Sequence, residues 1–440
     1  MADFTWPHPV SRLAFGSCNR QWMDQSVWSS MAATAPDAGI LGGDAWYTAR
    51  KAVKGLDPHA LEALRYARLA AEASPELQHF RNVLKAPLMA TCDDHDRGVN
   101  DGGGGDGYLL GTPGVADRTA RRDEFLAFLG AADDDPRRHR GGLYASYTLG
   151  EGARRVKVIL LDTRFWRDDF VIPTLVQSTI GGVISRGLAA ATGAVDWQDG
   201  TLLGEQQWKW LENQFEDSKE QGIAVNLLVS SIQVFTSNPL LEGWGHYPKE
   251  RRRLVRLLQR YNPSGLAILS GDVHVGEILH AEPDLEAIEV TSSGITHDCT
   301  DGGIPRFLCE GIFGYFSAHR STSFPSVYAH RNFGTIDIDW ATEEQRVTSG
   351  CAFRSLNISV HDANGNARQW LHRDRCGLLG VALTEHTDFG AWAFRSPAQR
   401  ATLCSLLVVC VFLALIVAWT AADALRKQCQ KCWRPKPKQE

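Results

Sequence analysis

The chain has no basic excess. It carries 46 Lys and Arg against 51 Asp and Glu, a net charge of -5 at pH 7. A general nucleic-acid binder needs a cationic face against the phosphates, so nucleic acid is not an expected primary partner. Regular cysteine spacing is missing too. Ten cysteines are scattered over 440 residues, and no secreted disulfide framework can be read from them. A reducing compartment is therefore expected for the main body. The opening "MADFTWPHPV" has no basic n-region and no apolar h-region, so no secretory signal peptide is expected. No internal repeat is present. The glycine run Gly102 to Gly105 lacks the Lys-Ser/Thr ending of a phosphate-cradling P-loop.

Charge is also missing locally. Ala401 to Ala422 ("ATLCSLLVVCVFLALIVAWTAA") contains no charged residue, a length that suits a transmembrane helix. Trp419 stands near one end, as an interfacial aromatic does. The tail beyond carries Arg426, Lys427, Lys431, Arg434, Lys436 and Lys438. The positive-inside rule puts that tail in the cytoplasm with the body outside. The missing entry signal argues instead for a tail-anchored protein with a cytosolic body, and this is the expected arrangement. Cys429 and Cys432 form a lone CxxC, half a zinc site at most, and read as palmitoylation sites or a bland exposed pair.

Short apolar runs recur through the body, each ending in polar residues: "RLAFGSCN", "AGILGGD", "APLMATCDDHD", "RVKVILLDTR", "IAVNLLVSS", "GLAILSGDVH" and "AIEVTSSGITH". They are rich in Val, Ile and Leu, as strands buried on both faces are. Helical patterns lie between them at residues 57–73, 204–220 and 248–261. Strand and helix in alternation indicate an α/β domain. Beyond Phe333, "GTIDIDW", "RVTSGCAF" and "SLNISVHDANGNARQWLHR" read as strands, with "DANGN" as a hairpin turn. Residues 171–200 read as a loop-rich insertion able to cover a site. The resulting division is a main domain over 1–345, a terminal β-element over 346–376, a linker over 377–400, the membrane helix over 401–422 and a basic tail over 423–440.

In α/β folds, ligands collect beyond the carboxyl ends of the strands. Here run after run places Asp, His or Cys at that end. Asp, His and thiolate together suit a borderline transition metal better than a pure calcium cage. Two metals sharing carboxylates suit phosphoester hydrolysis.

The stretches "FGSCNR", "LGGDAWY", "PLMATCDDHDRGVNDGG", "VILLDTRFWRDD", "LLGEQQWKWLE", "SIQV", "WGHYPKERRRL", "LSGDVHVGEI" and "VTSSGITH" follow one another in order. Over roughly residues 10 to 375 the chain resembles the PhoD-like alkaline phosphatases of the calcineurin-like metallophosphoesterase superfamily. The resemblance implies a β-sandwich flanked by helices and a set of metal ligands: Cys18, Asp44, Tyr47, Asp94, Asp272 and His274. Asp93 competes with Asp94 for its place. His95 is implied as the residue that binds phosphate and protonates the leaving group, and Arg164 as the cation that meets a phosphate oxygen. Two divalent or trivalent ions are implied, Fe3+ with Ca2+ or a set from Mn2+, Zn2+ and Mg2+. The chain departs from the family pattern at Ala45, where Asn is common, at Ala49, where an acidic residue is common, and at Cys92, where Trp is usual.

The expected activity is phosphoester hydrolysis, of the phosphodiesterase or phosphatase type, by a metal-activated hydroxide attacking phosphorus in line. The rivals are a membrane-tethered scaffold of the same fold, suggested by Ala45 and Ala49, and a phospholipid head-group binding protein. His297 reads as structural or as a hydrogen-bond partner of a ligand. His246 either touches substrate or fills a loop. The Arg251 to Arg253 stretch reads as a solvated helix face.

Overall fold

The computed structural model of the chain describes residues 3–49, 53–104, 118–174, 179–236, 238–280, 287–301, 303–316 and 327–374, and Ser405. Its strands are β1 (Phe4–Trp6), β2 (Arg12–Gly16), β3 (Ala38–Leu41), β4 (Met89–Ala90), β5 (Ala145–Leu149), β6 (Val156–Leu160) and β7 (Val225–Val229). They continue as β8 (Leu266–Ser270), β9 (Gly276–His280), β10 (Ile288–Ser292), β11 (Val327–Tyr328), β12 (Asn332–Trp340), β13 (Phe353–Asp362) and β14 (Ala367–Asp374). Each of the seven apolar runs contains one of them.

The strands form two sheets. One is eight-stranded in the order β1-β5-β6-β7-β8-β10-β9-β11, the other six-stranded in the order β14-β13-β12-β2-β3-β4. In the first, β6, β7, β8 and β10 are mutually parallel. In the second, β2, β3 and β4 are parallel.

Alternation along each strand explains why both faces are apolar. Val156, Val158 and Leu160 of β6 join Leu13 and Phe15 of β2 in the core between the sheets. Ile159 of β6 instead packs with Trp208, Leu211 and Leu254 of two covering helices. Ala14 of β2 packs outward with Val27, Trp28 and Phe80 of helices on the other side. The result is helix, sheet, sheet, helix, with period-2 strands supplying two cores at once.

The helices lie close to their sequence patterns. The second and third expected helices span Gly204–Glu220 and Pro248–Tyr261, while the first begins later, at Leu61–Glu72. Within the basic helix Pro248–Tyr261, Arg251 is buried and donates to the Phe235 and Thr236 carbonyls, so that face is not all solvated.

Several expectations need correction. Among the described residues no helix is long and apolar enough to cross a membrane. The membrane helix expected over 401–422 is withdrawn, and with it the tail-anchored placement and the membrane contact. The segment itself lies outside the described residues apart from Ser405, as do the 377–400 linker and the 423–440 tail. An uncharged run measures transfer cost from water, which is separate from forming a helix in a given fold.

"RVTSGCAF" is not a strand at its start: Glu343–Ser349 is a helix, opened by a capping box between Thr342 and Gln345. The 171–200 insertion contains the helix Thr179–Thr192. Cys299 and Cys309 are joined in a disulfide, and Cys351 is disulfide-bonded as well. Irregular spacing therefore hides a pairing that the fold creates.

Candidate metal centre

The parallel strands of the two sheets end at one crest. Ser17 and Cys18 follow β2 there, Asp44 follows β3, and Asp93, Asp94 and His95 follow β4. The other sheet brings Ser231 after β7, Asp272 and His274 after β8, and Ser293 and His297 after β10. Close approach needs glycine at two points. A Cβ on Gly43, whose φ is +115°, would stand 2.6 Å from the Asp93 Cβ, and one on Gly271 would collide with the Ser17 Oγ.

The backbone is held in an unusual state where the candidate ligands sit. Cys18, Asp44, Asp272 and His274 all have positive φ, at 67°, 55°, 71° and 59°. For non-glycine residues this costs free energy, and it persists where the surroundings impose it. Each turn swings a side chain off the end of its strand and into the crest.

Donor atoms converge in overlapping groups. Cys18, Asp44 and His274 form one; Asp44, Asp94 and His95 a second; Asp93, Asp94 and Asp272 a third, with ligand atoms in each group within 4.8 Å of one another. Asp44 is shared by the first two groups and Asp94 by the last two. The Tyr47 hydroxyl donates to Asp44 Oδ2 at 2.6 Å and lies 3.5 Å from His274 Nε2. The Tyr47 ring packs on His95, with centroids 4.1 Å apart. His95, Asp272 and His274 are partly exposed, while Cys18, Asp44, Asp93 and Asp94 are buried.

Two observations fit this set to metal ions. Asp93 Oδ2 is buried and has no hydrogen-bond partner. Burial, reinforced by neighbouring anions, also pushes Cys18, Asp44, Tyr47 and Asp272 well above their ordinary pKa ranges. Such a crowd ionises together only with cations among its members. A fourth group, Asp94, Asp101 and Glu242, is different. Glu242 is paired with Arg164 and Arg167, and Asp101 with Arg186, so guanidinium groups already neutralise it.

Arg164 is not where a phosphate could meet it. Its side chain is fully buried, its Nη atoms donate to Glu242 at 2.7 and 3.1 Å, and its Nε donates to Asp93. It orients Asp93 from behind. The sequence offers no way to see this, because Glu242 lies 78 residues away.

Sequence reasoning misses the roles of Asp96 and Ser293, while it singles out His297, Ala45 and His246. Asp96 accepts from the amides of Asp44, Ala45 and Asp93 at 2.7 to 2.8 Å, tying the β3 and β4 loops together. Ser293 Oγ lies 3.0 Å from Cys18 Sγ and accepts from the His274 amide at 2.8 Å. His297 Nε2 is 3.1 Å from His274 Nε2 and 3.4 Å from the Tyr47 hydroxyl, which makes it a neighbour of two candidate ligands. Ala45 packs into the apolar cluster on the helical side of the sheet, with Trp46 and Phe125. His246 is buried, bonded to the Leu241 carbonyl, and fills a loop.

Arg20 is the cation on the open side. Its guanidinium lies 5.2 Å from the Tyr47 ring centroid, its side chain is 27% exposed, and its ion pair with Asp301 is long, 3.9 Å. The signal for it in the sequence is its place in "FGSCNR", two residues after Cys18.

A two-sheet sandwich with carboxylate, imidazole and thiol donors gathered at the ends of its parallel strands defines a metallophosphoesterase, an enzyme class of metal-dependent phosphoester hydrolases. The PhoD-like phosphatase family model matches residues 13–347, and the chain belongs to that family. It is similar to alkaline phosphatase D of Bacillus subtilis (strain 168), with 27% identity over 149 residues, 33% of this chain and 23% of that protein. The match thus spans less than a quarter of that relative's length. The solved structure of PhoD shares the fold, with a TM-score of 0.54 at 17% identity, covering 82% of this chain and 72% of that one.

Proposed function

We propose that the protein hydrolyses phosphoesters at a two-metal centre, with phosphodiesters preferred over monoesters. The observation that carries this reading is the sharing of Asp44 and Asp94 among three overlapping donor groups. Cys18, Tyr47, His274 and Asp44 would hold one ion. That thiolate, phenolate and imidazole set suits a transition metal such as Fe3+. Asp94 and Asp272, with Asp93 beside them, would hold the other. An all-carboxylate set suits Ca2+, Mn2+ or Mg2+. When bound, the ions neutralise charge on the phosphoryl oxygens and make water more acidic.

The chain's own residues do the rest. His95, partly exposed and stacked on Tyr47, is assigned the proton transfer to the leaving oxygen. Arg164 holds Asp93 rather than substrate. Arg20 takes the role of the phosphate-facing cation, because it is half-buried and only loosely paired. A single guanidinium at the mouth suits the single negative charge of a diester.

The test is metal analysis of the full chain beside hydrolysis of a bis-aryl phosphodiester and an aryl monoester, with and without chelator. Two ions per chain and chelator-sensitive turnover, faster on the diester and lost in Asp272→Ala, are expected. A folded protein that stays inactive after metal reloading would overturn the reading. Arg20→Gln is expected to raise KM by about 10- to 100-fold with a smaller change in kcat and unchanged metal content. Equal KM values for the variant and the parent protein would remove Arg20 from the site.

A further inference from the structure

The 171–200 insertion meets the loop behind Asp94 through a buried ion pair. Its helix, Thr179–Thr192, carries Arg186, whose Nη1 donates to Asp101 Oδ2 at 2.8 Å. The Asp101 amide in turn donates to Oδ2 of Asp94, a candidate ligand, at 2.6 Å. We propose that Arg186 is a positioning residue for the metal centre and sets the Asp94 carboxylate through Asp101. The inference rests on the two-metal reading and adds to it a residue that acts from behind a ligand.

Asp101 is engaged through its backbone and its side chain. Its amide faces Asp94, its carbonyl accepts from Arg167 Nη2, and its carboxylate takes Arg186 and, at 3.3 Å, the Thr174 hydroxyl. Its φ is +54°, a conformation that a non-glycine residue keeps where its surroundings impose it. The next three residues are Gly102, Gly103 and Gly104, which have no side chains to hold the loop, so the Asp101 carboxylate anchors it. Glycine is needed there for close packing: a Cβ on Gly103 would stand 2.8 Å from Arg167 Nε.

The pair is built into the interior. The side chains of Arg186 and Asp101 are 5% and 8% exposed. Arg186 Nε also donates to the Leu240 carbonyl at 3.0 Å, which fixes the guanidinium from another side. Gly182, one turn before Arg186, clears the space, since a Cβ there would stand 2.2 Å from Asp101 Oδ2 and 2.9 Å from Arg186 Nη1. The His95 amide donates to Asp94 Oδ1 at 2.8 Å. The amides of His95 and Asp101 thus hold one oxygen each and fix the plane of the carboxylate, and each oxygen keeps a lone pair for a metal. Partners of this kind orient a ligand and tune its affinity for the ion.

The test titrates Co2+ into the chelator-treated full chain, followed by calorimetry and by absorbance. Co2+ held by Cys18 gives a thiolate charge-transfer band, whereas Co2+ on the Asp94 and Asp272 side adds heat without that band. Arg186→Leu is expected to weaken binding on the Asp94 side by about 10-fold, the lower end for a residue that supports a ligand, and to leave the charge-transfer titration unchanged. Gly182→Ala is expected to do the same, because it crowds the pair without leaving a charge unpaired and favours the helix. A parent chain that binds fewer than two ions overturns the two-metal reading and this proposal with it. A parent chain that binds two, with both variants binding them as tightly, overturns this proposal alone. Equal weakening of both ions also overturns it, because that is the mark of a loosened fold. Should Arg186→Leu fail to fold, Gly182→Ala decides.

Discussion

Glu242 joins two buried guanidinium groups, those of Arg164 and Arg167, of which Arg164 also meets Asp93. It is 2% exposed and accepts from both Arg164 and Arg167. Burial alone would push its pKa up, but the two arginines outweigh it and hold the carboxyl well below the usual range. Removing that charge leaves two buried cations. Glu242→Gln should therefore cost about 3–5 kcal/mol of stability, read from chemical denaturation. A loss under about 1 kcal/mol would mean that water or another group neutralises the arginines. The same residue shows why Arg164 is misplaced by sequence reasoning. "DTRFW" states that a cation follows β6, but not that an acid from a distant loop encloses it.

The elements that matter most are the turns after β2, β3 and β8, where the candidate ligands take positive φ. Gly43 makes one of these turns possible. Its φ of +115° and its closeness to Asp93 leave no room for a methyl group. Gly43→Ala should displace the β4 loop and lower the metal content below that of the parent protein, with a stability loss of about 1–3 kcal/mol. Unchanged metal stoichiometry would show that the two loops move apart without harm. The apolar runs announce these strands because burial on both faces leaves a continuous hydrophobic signature. The turn conformations leave no such mark, since positive φ is uncommon for any non-glycine residue and the enrichment of Asp and His there is too weak to single out a position. The capping box at Thr342 is written in the sequence, but the β-like pattern around it masks the helix it opens.

For the molecule as a whole, acid sensitivity should exceed that of its surface carboxylates. His246 is buried, and burial, with Arg186 second, pushes its pKa down to about 3. The folded state therefore keeps the ring neutral while the unfolded chain protonates it near pH 6.5. Its contribution to stability is complete above that pH and is lost as pH falls from about 6.5 towards 3. The slope is roughly 1.4 kcal/mol per pH unit for one proton. Stability measured across this range should fall, and His246→Gln should flatten the curve by that amount. An identical slope in the variant would assign the acid sensitivity to other groups.

The sequence by itself determined the α/β class, the strands that end in the site and the candidate ligands Cys18, Asp44, Asp94, Asp272 and His274. The class and the strands are properties of local pattern, runs buried on both faces with polar residues at their carboxyl ends, while the choice of ligands among those polar residues is what the family resemblance implies. Tertiary structure decided what each polar residue meets. It enclosed Arg164 behind Glu242, set Arg20 at the mouth, brought Cys299 to Cys309 and left the Arg97 terminal nitrogens buried without a partner. Hydrogen bonds and ion pairs act over a few ångströms between residues far apart in the chain, so their partners are fixed only when the sheets pack.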